Sequence, residues 1–208
     1  MYRIFFSPTG YISPVWHSVL IFIGDFTMLN WCQNKLEITF AAERHEALHQ
    51  ALFSTNEVGR VELNFHNLIP MPAELDVGLV YNNRERLEQQ YQHNIAHYGY
   101  KDWYDWCIAN WSCKWNASST IIFDECEEHI SLYFDSAWTP PETWFKVLCE
   151  KFPDVDFTLS YYEPGCWFAG RMEADLEGDY FHTQISDDEI KLFAINVFGE
   201  SFEYSDVE

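Results

Sequence analysis

His45 and His49 lie one helical turn apart, and Glu46 follows the first of them. On a helix the two imidazoles would share one face and bind Zn²⁺, with the glutamate as the base of a metal-dependent hydrolysis. Against this, Glu43 and Arg44 are typical of a solvated helix edge, and the sequence offers no third ligand. Both interpretations stay open, but we predict no bound metal and no cofactor.

A lysine among tryptophans is the second candidate. Lys114 lies between Trp111 and Trp115, in a stretch with four tryptophans within thirteen residues. Trp138 and Glu163 follow in the segments Trp-Thr-Pro-Pro and Glu-Pro-Gly. Because such rings bury a large area, we interpret the stretch as a buried seam between two halves of the chain. Lys114 would lie on the rings or donate to a carboxylate such as Glu163. The alternative is a pocket for a small ligand or peptide, or the site of a small hydrolase.

Three acidic segments in the second half form the third candidate. Their carboxylates are Glu125, Glu127, Glu128, Glu173, Asp175, Glu177, Asp179, Asp187, Asp188 and Glu189. In an extended strand, the alternating acids of 173–179 would lie on one face, about 6.5–7 Å apart. That separation is close to the spacing of phosphates along a DNA strand. The alternative is an ordinary solvated surface.

The charge of the whole chain is the strongest global feature. The net charge is −21, and 21 acids against four bases from Asp124 onwards account for −17, which leaves −4 for residues 1–123. Such a surface repels the phosphates of nucleic acids and membranes and attracts basic proteins. The acidity also has a plainer interpretation, because it keeps an aromatic-rich chain in solution.

Composition and cysteine usage indicate a folded chain from a reducing compartment. Hydrophobic residues make up 48% and aromatic residues 18% of the chain, which is enough for a sizeable core. The six cysteines show no paired spacing, and the N-terminus lacks a secretory signal. No apolar run approaches the roughly 20 residues that span a bilayer. We therefore predict a cytoplasmic protein with reduced thiols.

The elements that position these residues follow from apolar periodicity. Strands are predicted at 36–40, 61–65, 120–124, 130–134, 156–162, 166–171 and 179–184. Helices are predicted at 42–53, 85–98, 102–109, 140–152 and 190–197. This pattern predicts an α+β fold of antiparallel sheets with helices on one face, with a ferredoxin-like C-terminal half. We divide the chain into an N-terminal extension (1–27), an N-terminal α+β region (28–103) and a ferredoxin-like domain (104–208). Met28 resembles a translation start, so the extension is predicted not to be natively translated.

Several motifs carry a resemblance to a known family. They are Asn30-Trp-Cys-x-Asn34, Asn67-Leu-Ile-Pro-Met-Pro72, Trp106-Cys-x-x-Asn110-Trp-x-x-Lys114-Trp115, Trp138-x-Pro-Pro141 and Tyr162-Glu-Pro-Gly-x-x-Phe168-Ala-Gly170. The chain resembles the uncharacterised phage- and plasmid-borne proteins with a YubB-type ferredoxin-like domain, from about Met28 to Arg171. The resemblance implies a ferredoxin-like C-terminal half and a mobile-element origin, but no activity and no iron–sulfur cluster. Ser112-Cys113 departs from the Gly-Thr expected in relatives.

Charge and resemblance together lead to a functional hypothesis. We expect an acidic, non-enzymatic accessory protein of a phage or plasmid that binds a basic, DNA-binding host protein. One form of this hypothesis is a DNA mimic that counters host defence. No direct binding of nucleic acid or membrane is expected. The alternative is a small-ligand-binding protein or hydrolase that uses Trp111, Lys114 and Glu163.

Overall fold

A computed structural model of the chain describes residues 30–77 and 84–202. The predicted extension 1–27 and the proposed start at Met28 lie outside the described residues. In the described part, six strands form one antiparallel sheet in the order β4-β5-β1-β6-β7-β8, and β2 and β3 form a separate hairpin. The strands are β1 (Trp31–Thr39), β2 (Phe53–Thr55), β3 (Val61–Leu63), β4 (Ser118–Cys126), β5 (His129–Ala137), β6 (Asp156–Glu163), β7 (Phe168–Ala174) and β8 (Tyr180–Gln184).

Strand β1 lies in the middle of the sheet, between β5 and β6. Leu36 of β1 lies opposite Leu132 of β5 on one side and Leu159 of β6 on the other. The elements β1, a helix, β4, β5, α4 and β6 therefore follow the β-α-β-β-α-β sequence of a ferredoxin-like unit, and β7 and β8 extend its sheet. The sheet thus combines a strand from the region assigned to 28–103 with strands from the region assigned to 104–208.

Five α-helices accompany the strands in the described residues. They are α1 (His45–Leu52), α2 (Arg84–Tyr98), α3 (Trp103–Trp111), α4 (Glu142–Lys151) and α5 (Asp187–Phe198). Apolar residues at helical spacing, such as Trp144, Phe145 and Leu148 in α4, are fully buried. They join every second residue of β1 and β6 in one core on one face of the sheet.

Helix α5 packs on the other face. Its buried Ile190 and Ala194 contact Tyr162 and Ala169, whereas Tyr161, the neighbour of Tyr162, belongs to the main core. Because successive strand residues point to opposite faces, the second cluster lies behind the sheet. The α+β class, the antiparallel sheet and the ferredoxin-like C-terminal region are confirmed. Helices α1, α3 and α4 share one face, as predicted, whereas α5 lies on the other. None of the helices in residues 30–77 and 84–202 is long and apolar enough to cross a bilayer.

Candidate functional site

The acidic segments around 125 and 175 lie at the same end of the sheet. His129 and Asp156 both pair with Thr39 at the end of β1, and Ala174 pairs with Tyr180 at the start of β8. The β4–β5 turn, the start of β6 and the β7–β8 turn therefore lie at the same end of the sheet. We call the carboxylates there the acidic rim: Glu125, Glu127, Glu128, Asp154, Asp156, Asp175, Glu177 and Asp179. All of them are exposed except Asp175, which is half-buried.

Two rim carboxylates contact basic side chains. Glu125 Oε1 lies 3.2 Å from His45 Nε2, and Asp154 Oδ2 lies 2.8 Å from an Arg44 guanidinium nitrogen. Both pairs are partly exposed, and pairs of this kind contribute about 0–1 kcal/mol. The rim thus stays strongly negative. Sequence reasoning missed Asp154 and Asp156, because only strand register brings them beside the other acids.

The chain is not extended through 173–179, so the regular row of acids considered for this segment does not form. Strand β7 ends at Ala174, and the chain then turns on Asp175, whose Oδ1 accepts hydrogen bonds from the backbone N–H groups of Glu177 and Asp179, each at 3.0 Å. Gly178 completes the turn with a φ of +84°. The carboxylates of Asp175, Glu177 and Asp179 consequently lie within 4.8 Å of one another instead of forming a regular row. Glu173 stays on β7, just inside the rim.

The third acidic segment is not part of the rim. Asp187, Asp188 and Glu189 form the first turn of α5, where negative charge is favoured by the helix dipole. This turn follows Gln184, which pairs with Gly170 near the beginning of β7 and so lies at the opposite end of the sheet. The predicted acidic surface is therefore divided between two ends of the molecule.

Trp111 lies in the core rather than around a cleft. It is 1% exposed, its indole N–H donates to the Ile69 carbonyl at 3.1 Å, and its ring packs edge-on against Phe65 and Trp106. Trp111 belongs to α3, which starts where the Asp102 side chain accepts from the N–H groups of Tyr104 and Asp105. This tryptophan stretch is thus interior packing between α3 and the segment 65–71.

Lys114 and Glu163 lie in different parts of the molecule. The Lys114 ammonium lies 4.4 Å from the centre of the Trp115 ring and 5.9 Å from that of Tyr104, at a pocket of about 290 Å³ that Trp111 also lines. Glu163 is 1% exposed, and its oxygens accept from the backbone N–H groups of Gly165 and Cys166. The suggested Lys114–Glu163 pair is therefore wrong: Glu163 caps its own turn.

Trp138 lies near the Glu-Pro-Gly turn of Glu163, through their shared neighbour Asn30. Its backbone N–H donates to the Asn30 carbonyl at 3.0 Å, its φ is 72°, and its side chain is exposed. Asn30 also contacts the Glu-Pro-Gly turn, since a Cβ on Gly165 would lie 2.4 Å from Asn30 Nδ2. Two of the motifs that carry the resemblance therefore meet beside the first residue of the described chain.

Of the two histidines considered as metal ligands, His45 contacts the rim. Their rings are 6.2 Å apart on α1, and Glu125 is the carboxylate that contacts His45. Among the described residues, the acidic group with metal-like spacing is Asp175, Glu177 and Asp179, and it does not include either histidine. The geometry fits the solvated helix edge better than a zinc site.

A cleft of about 680 Å³ opens at the end of the sheet opposite the rim. It is lined by the start of β1, the end of β5, the start of β4, the Glu-Pro-Gly turn and Phe198 at the end of α5. Asp135 of β5 is half-buried there, and burial raises the pKa of its carboxyl group although a hydrogen bond from Ser119 opposes this. Sequence reasoning missed Asp135 because nothing in its neighbourhood marks it.

A smaller pocket of about 380 Å³ holds a hydrogen-bonded group that the sequence also did not reveal. The Tyr161 hydroxyl lies 2.8 Å from His182 Nε2, and His182 Nδ1 lies 3.6 Å from Glu142 Oε1. Tyr161 reaches β8 across Gly170, which offers no side chain to block it. Burial, with Cys32 and Glu142 nearby, raises the pKa of Tyr161 to about 12, so the phenol stays a hydrogen-bond donor at neutral pH.

The chain is similar to known proteins mainly through its C-terminal part. One similar solved structure is the crystal structure of a protein Api92 from Yersinia pseudotuberculosis, which is 13% identical, with 76% of this chain and 99% of that chain covered and a TM-score of 0.48. No curated protein matches the chain. Residues 110–207 match the family model of the ferredoxin-like domain in Api92-like protein. This part of the chain is therefore similar to the ferredoxin-like domain of Api92-like proteins.

Proposed function

We propose that the chain is an acidic accessory protein that binds a basic protein partner through the acidic rim. The observation that supports this is the convergence of two separate acidic segments, with Asp154 and Asp156 between them, on one end of the sheet. A negative surface of this kind raises the association rate with a positively charged partner and disfavours the binding of acidic proteins.

The size of the rim also suggests what kind of basic partner it suits. Neighbouring strands lie about 4.8 Å apart, so the five steps from β4 to β8 span about 24 Å. That span corresponds to about seven base-pair steps of duplex DNA at 3.4 Å each. A DNA-binding protein is therefore the partner class we propose. In this proposal the chain is a cytoplasmic protein of a phage or plasmid, of the YubB-type group, and imitates DNA to counter a host defence protein.

The test is capture of partners from host lysate at low and at high salt. A complex formed through the rim weakens sharply as salt rises, because the exposed charges are then screened. It is also released by added duplex DNA, which competes for the same basic surface. Recovery of no basic or DNA-binding protein at low salt would overturn the proposal.

Two triple variants with equal charge changes separate the rim from the general acidity. Glu127→Gln, Glu177→Gln and Asp179→Asn remove three rim charges, whereas Asp187→Asn, Asp188→Asn and Glu189→Gln remove three charges at the opposite end. Thermal unfolding of both proteins first establishes that they are folded. We expect the rim triple to lose the partner and the α5 triple to keep it. Equal loss in both would contradict a role for the rim.

The alternative function, a ligand-binding or hydrolytic site at Trp111, Lys114 and Glu163, gains little support from the geometry. Lys114 and Trp111 share a small pocket, but Glu163 lines the larger cleft elsewhere. A site at Lys114 would therefore have to use other groups of its own pocket, such as His66 and Asp76. Burial lowers the pKa of His66, which keeps its ring neutral at physiological pH.

A further inference from the structure

We propose that the 680 Å³ cleft between β1, β4, β5 and α5 binds an organic cation, an ammonium or guanidinium group on a small apolar body. This goes beyond the proposed rim function, because the cleft lies at the other end of the sheet and takes a small group instead of a protein surface. Its size falls within the range of small-molecule pockets, about 300–1,000 Å³.

The charged groups that line the cleft are suited to a cation. Among the described residues, the two charged members of the lining, Asp135 and Glu163, are both acidic, and the Glu163 oxygens already accept from its own turn. Gln33, directly opposite Asp135 on β1, also lines the cleft and donates to Glu200 at 2.6 Å. The side chain of Asn34, next along β1, points to the core face, where its Nδ2 donates to the Cys32 carbonyl and to Ser136 Oγ, each at 2.8 Å. Asp135 is therefore the half-buried acid that a cation in the cleft would meet.

The apolar lining is aromatic. Trp31, Tyr133 and Phe198 line the cleft, and the Tyr133 and Phe198 rings lie 6.2 Å apart. The Tyr133 hydroxyl donates to the Val197 carbonyl at 3.0 Å, which fixes its ring against the end of α5. Aromatic faces attract cations, and the attraction is stronger where the contact is shielded from water. The same rings bury the apolar body of a ligand.

Asp135 lies beside an irregular stretch of β4. The register of β4 against β5 shifts between Ser118 and Ile121, and Ser119 adopts a left-handed φ of 53°. This conformation is uncommon outside glycine and strains the backbone. Because Ser118 pairs with Asp135, the strained residue adjoins the half-buried carboxyl group. Backbone strain of this kind is common at binding sites.

The test uses the full chain and three probes in NMR titrations. Phenethylamine supplies the cation on an apolar body, phenethyl alcohol is its neutral isostere, and the peptide acetyl-Gly-Arg-Gly-amide presents a guanidinium from a protein source. We expect saturable binding of phenethylamine with shifts centred on Gln33, Tyr133 and Asp135. The alcohol should bind about tenfold more weakly or not at all, since it carries no positive charge to pair with a carboxylate or with the aromatic faces. Tighter binding of the peptide than of the amine would assign the cation to a peptide side chain.

Two variants, each with one negative charge removed, test whether binding depends on Asp135 or on the overall charge. Asp135→Asn should weaken phenethylamine binding about tenfold, in keeping with loss of one hydrogen bond to a charged group. Asp156→Asn, on the acidic rim, also removes one negative charge and should leave binding unchanged. The shift map of the unaltered protein locates the ligand even if a variant fails to fold. Equal binding of amine and alcohol, shifts centred on the rim, or no effect of Asp135→Asn would each overturn the proposal.

Discussion

The ionised carboxyl group of Asp135 would favour the proposed binding of a cation, but it lowers the stability of the fold. Its carboxyl group is half-buried between Gln33 of β1 and Ser119 of β4, with Glu163 in the same cleft. Burial raises its pKa, so the charged form is disfavoured in the folded protein. Residues kept at such a cost are common at functional sites, where stability is given up for activity.

The first prediction concerns the pH dependence of this cost. Because the folded-state pKa of Asp135 is raised, the native protein binds more protons than the unfolded chain as pH rises through the carboxyl range, so its stability falls with pH. Asp135→Asn removes that loss and can keep the Ser119 hydrogen bond. We expect a higher urea midpoint than wild type at pH 7 and a difference that shrinks towards pH 4. A variant less stable than wild type at pH 7 would show that Asp135 is stabilised by its surroundings.

The second prediction concerns Gly170, where the phenol of Tyr161 crosses β7. A Cβ at this position would lie 2.2 Å from the Tyr161 hydroxyl oxygen and 2.8 Å from the Thr183 carbonyl. Tyr161 is buried and bonded to His182, so it cannot simply move aside. We expect Gly170→Ala to destabilise the fold by about 1–3 kcal/mol in urea unfolding, the usual cost of overpacking. Gly59→Ala serves as control, since a Cβ at Gly59 meets nothing and carries only the backbone cost of φ +81°.

Helix α3 shows how one side chain positions an element. Asp102 precedes the helix in an extended conformation, and its Oδ1 accepts from Tyr104 N at 3.1 Å and Asp105 N at 3.2 Å. These bonds satisfy two N–H groups that the helix itself leaves free. Because Trp106 and Trp111 lie on this short helix, its start also sets where the tryptophans enter the core.

The third prediction follows from that cap. Asp102→Ala should lower the free energy of unfolding by about 0.5–2 kcal/mol, whereas Asp102→Asn, which keeps an acceptor oxygen, should cost much less. The measurement is urea unfolding followed by tryptophan fluorescence, to which the three tryptophans of α3 contribute among the nine of the chain. Equal losses in both variants would assign the effect to the charge of Asp102, beside Lys101, and not to capping.

Elements were predictable where the signal was local. The alternation in 36–40 and 156–162 and the periodicity of 42–53 and 85–98 correspond to β1, β6, α1 and α2, with ends shifted by a few residues. The turn at 175–179 was not predictable from alternation, because Asp175 bonds to the backbone two and four residues ahead and stops the strand. Alternating acids fit a strand and a carboxylate-centred turn equally well.

The sites depend on register, which the sequence does not display. The rim arises because the end of β1 lies beside the starts of β5 and β6. The Tyr161–His182 pair arises because Gly170 of β7 lies between Tyr161 and β8 and has no side chain. The cleft needs residues from β1, β4, β5 and the Glu-Pro-Gly turn, which are distant in sequence. Composition predicted the sign of the charge, but only the sheet order determines where that charge accumulates.

At the scale of the whole molecule, the position of β1 yields the fourth prediction. A fragment of residues 104–208 lacks β1, so β5 and β6 would each expose an unpaired edge facing the gap, and unpaired edges favour aggregation. The fragment also lacks Leu36 and Ile38, both fully buried, whose burial contributes about 1.5–3 kcal/mol each. That loss is a large part of a total stability of about 5–15 kcal/mol.

We therefore expect the fragment 104–208 to show no cooperative urea transition and to aggregate, whereas residues 28–208 unfold cooperatively. Circular dichroism and light scattering provide the measurements. Adding a synthetic peptide of residues 28–42 to the fragment should restore part of the sheet signal, because it supplies the missing central strand. The variant peptide Leu36→Asp is the matched control and should fail, since it places a charge between Leu132 and Leu159. Cooperative folding of the fragment alone would show that the second half closes its sheet without β1.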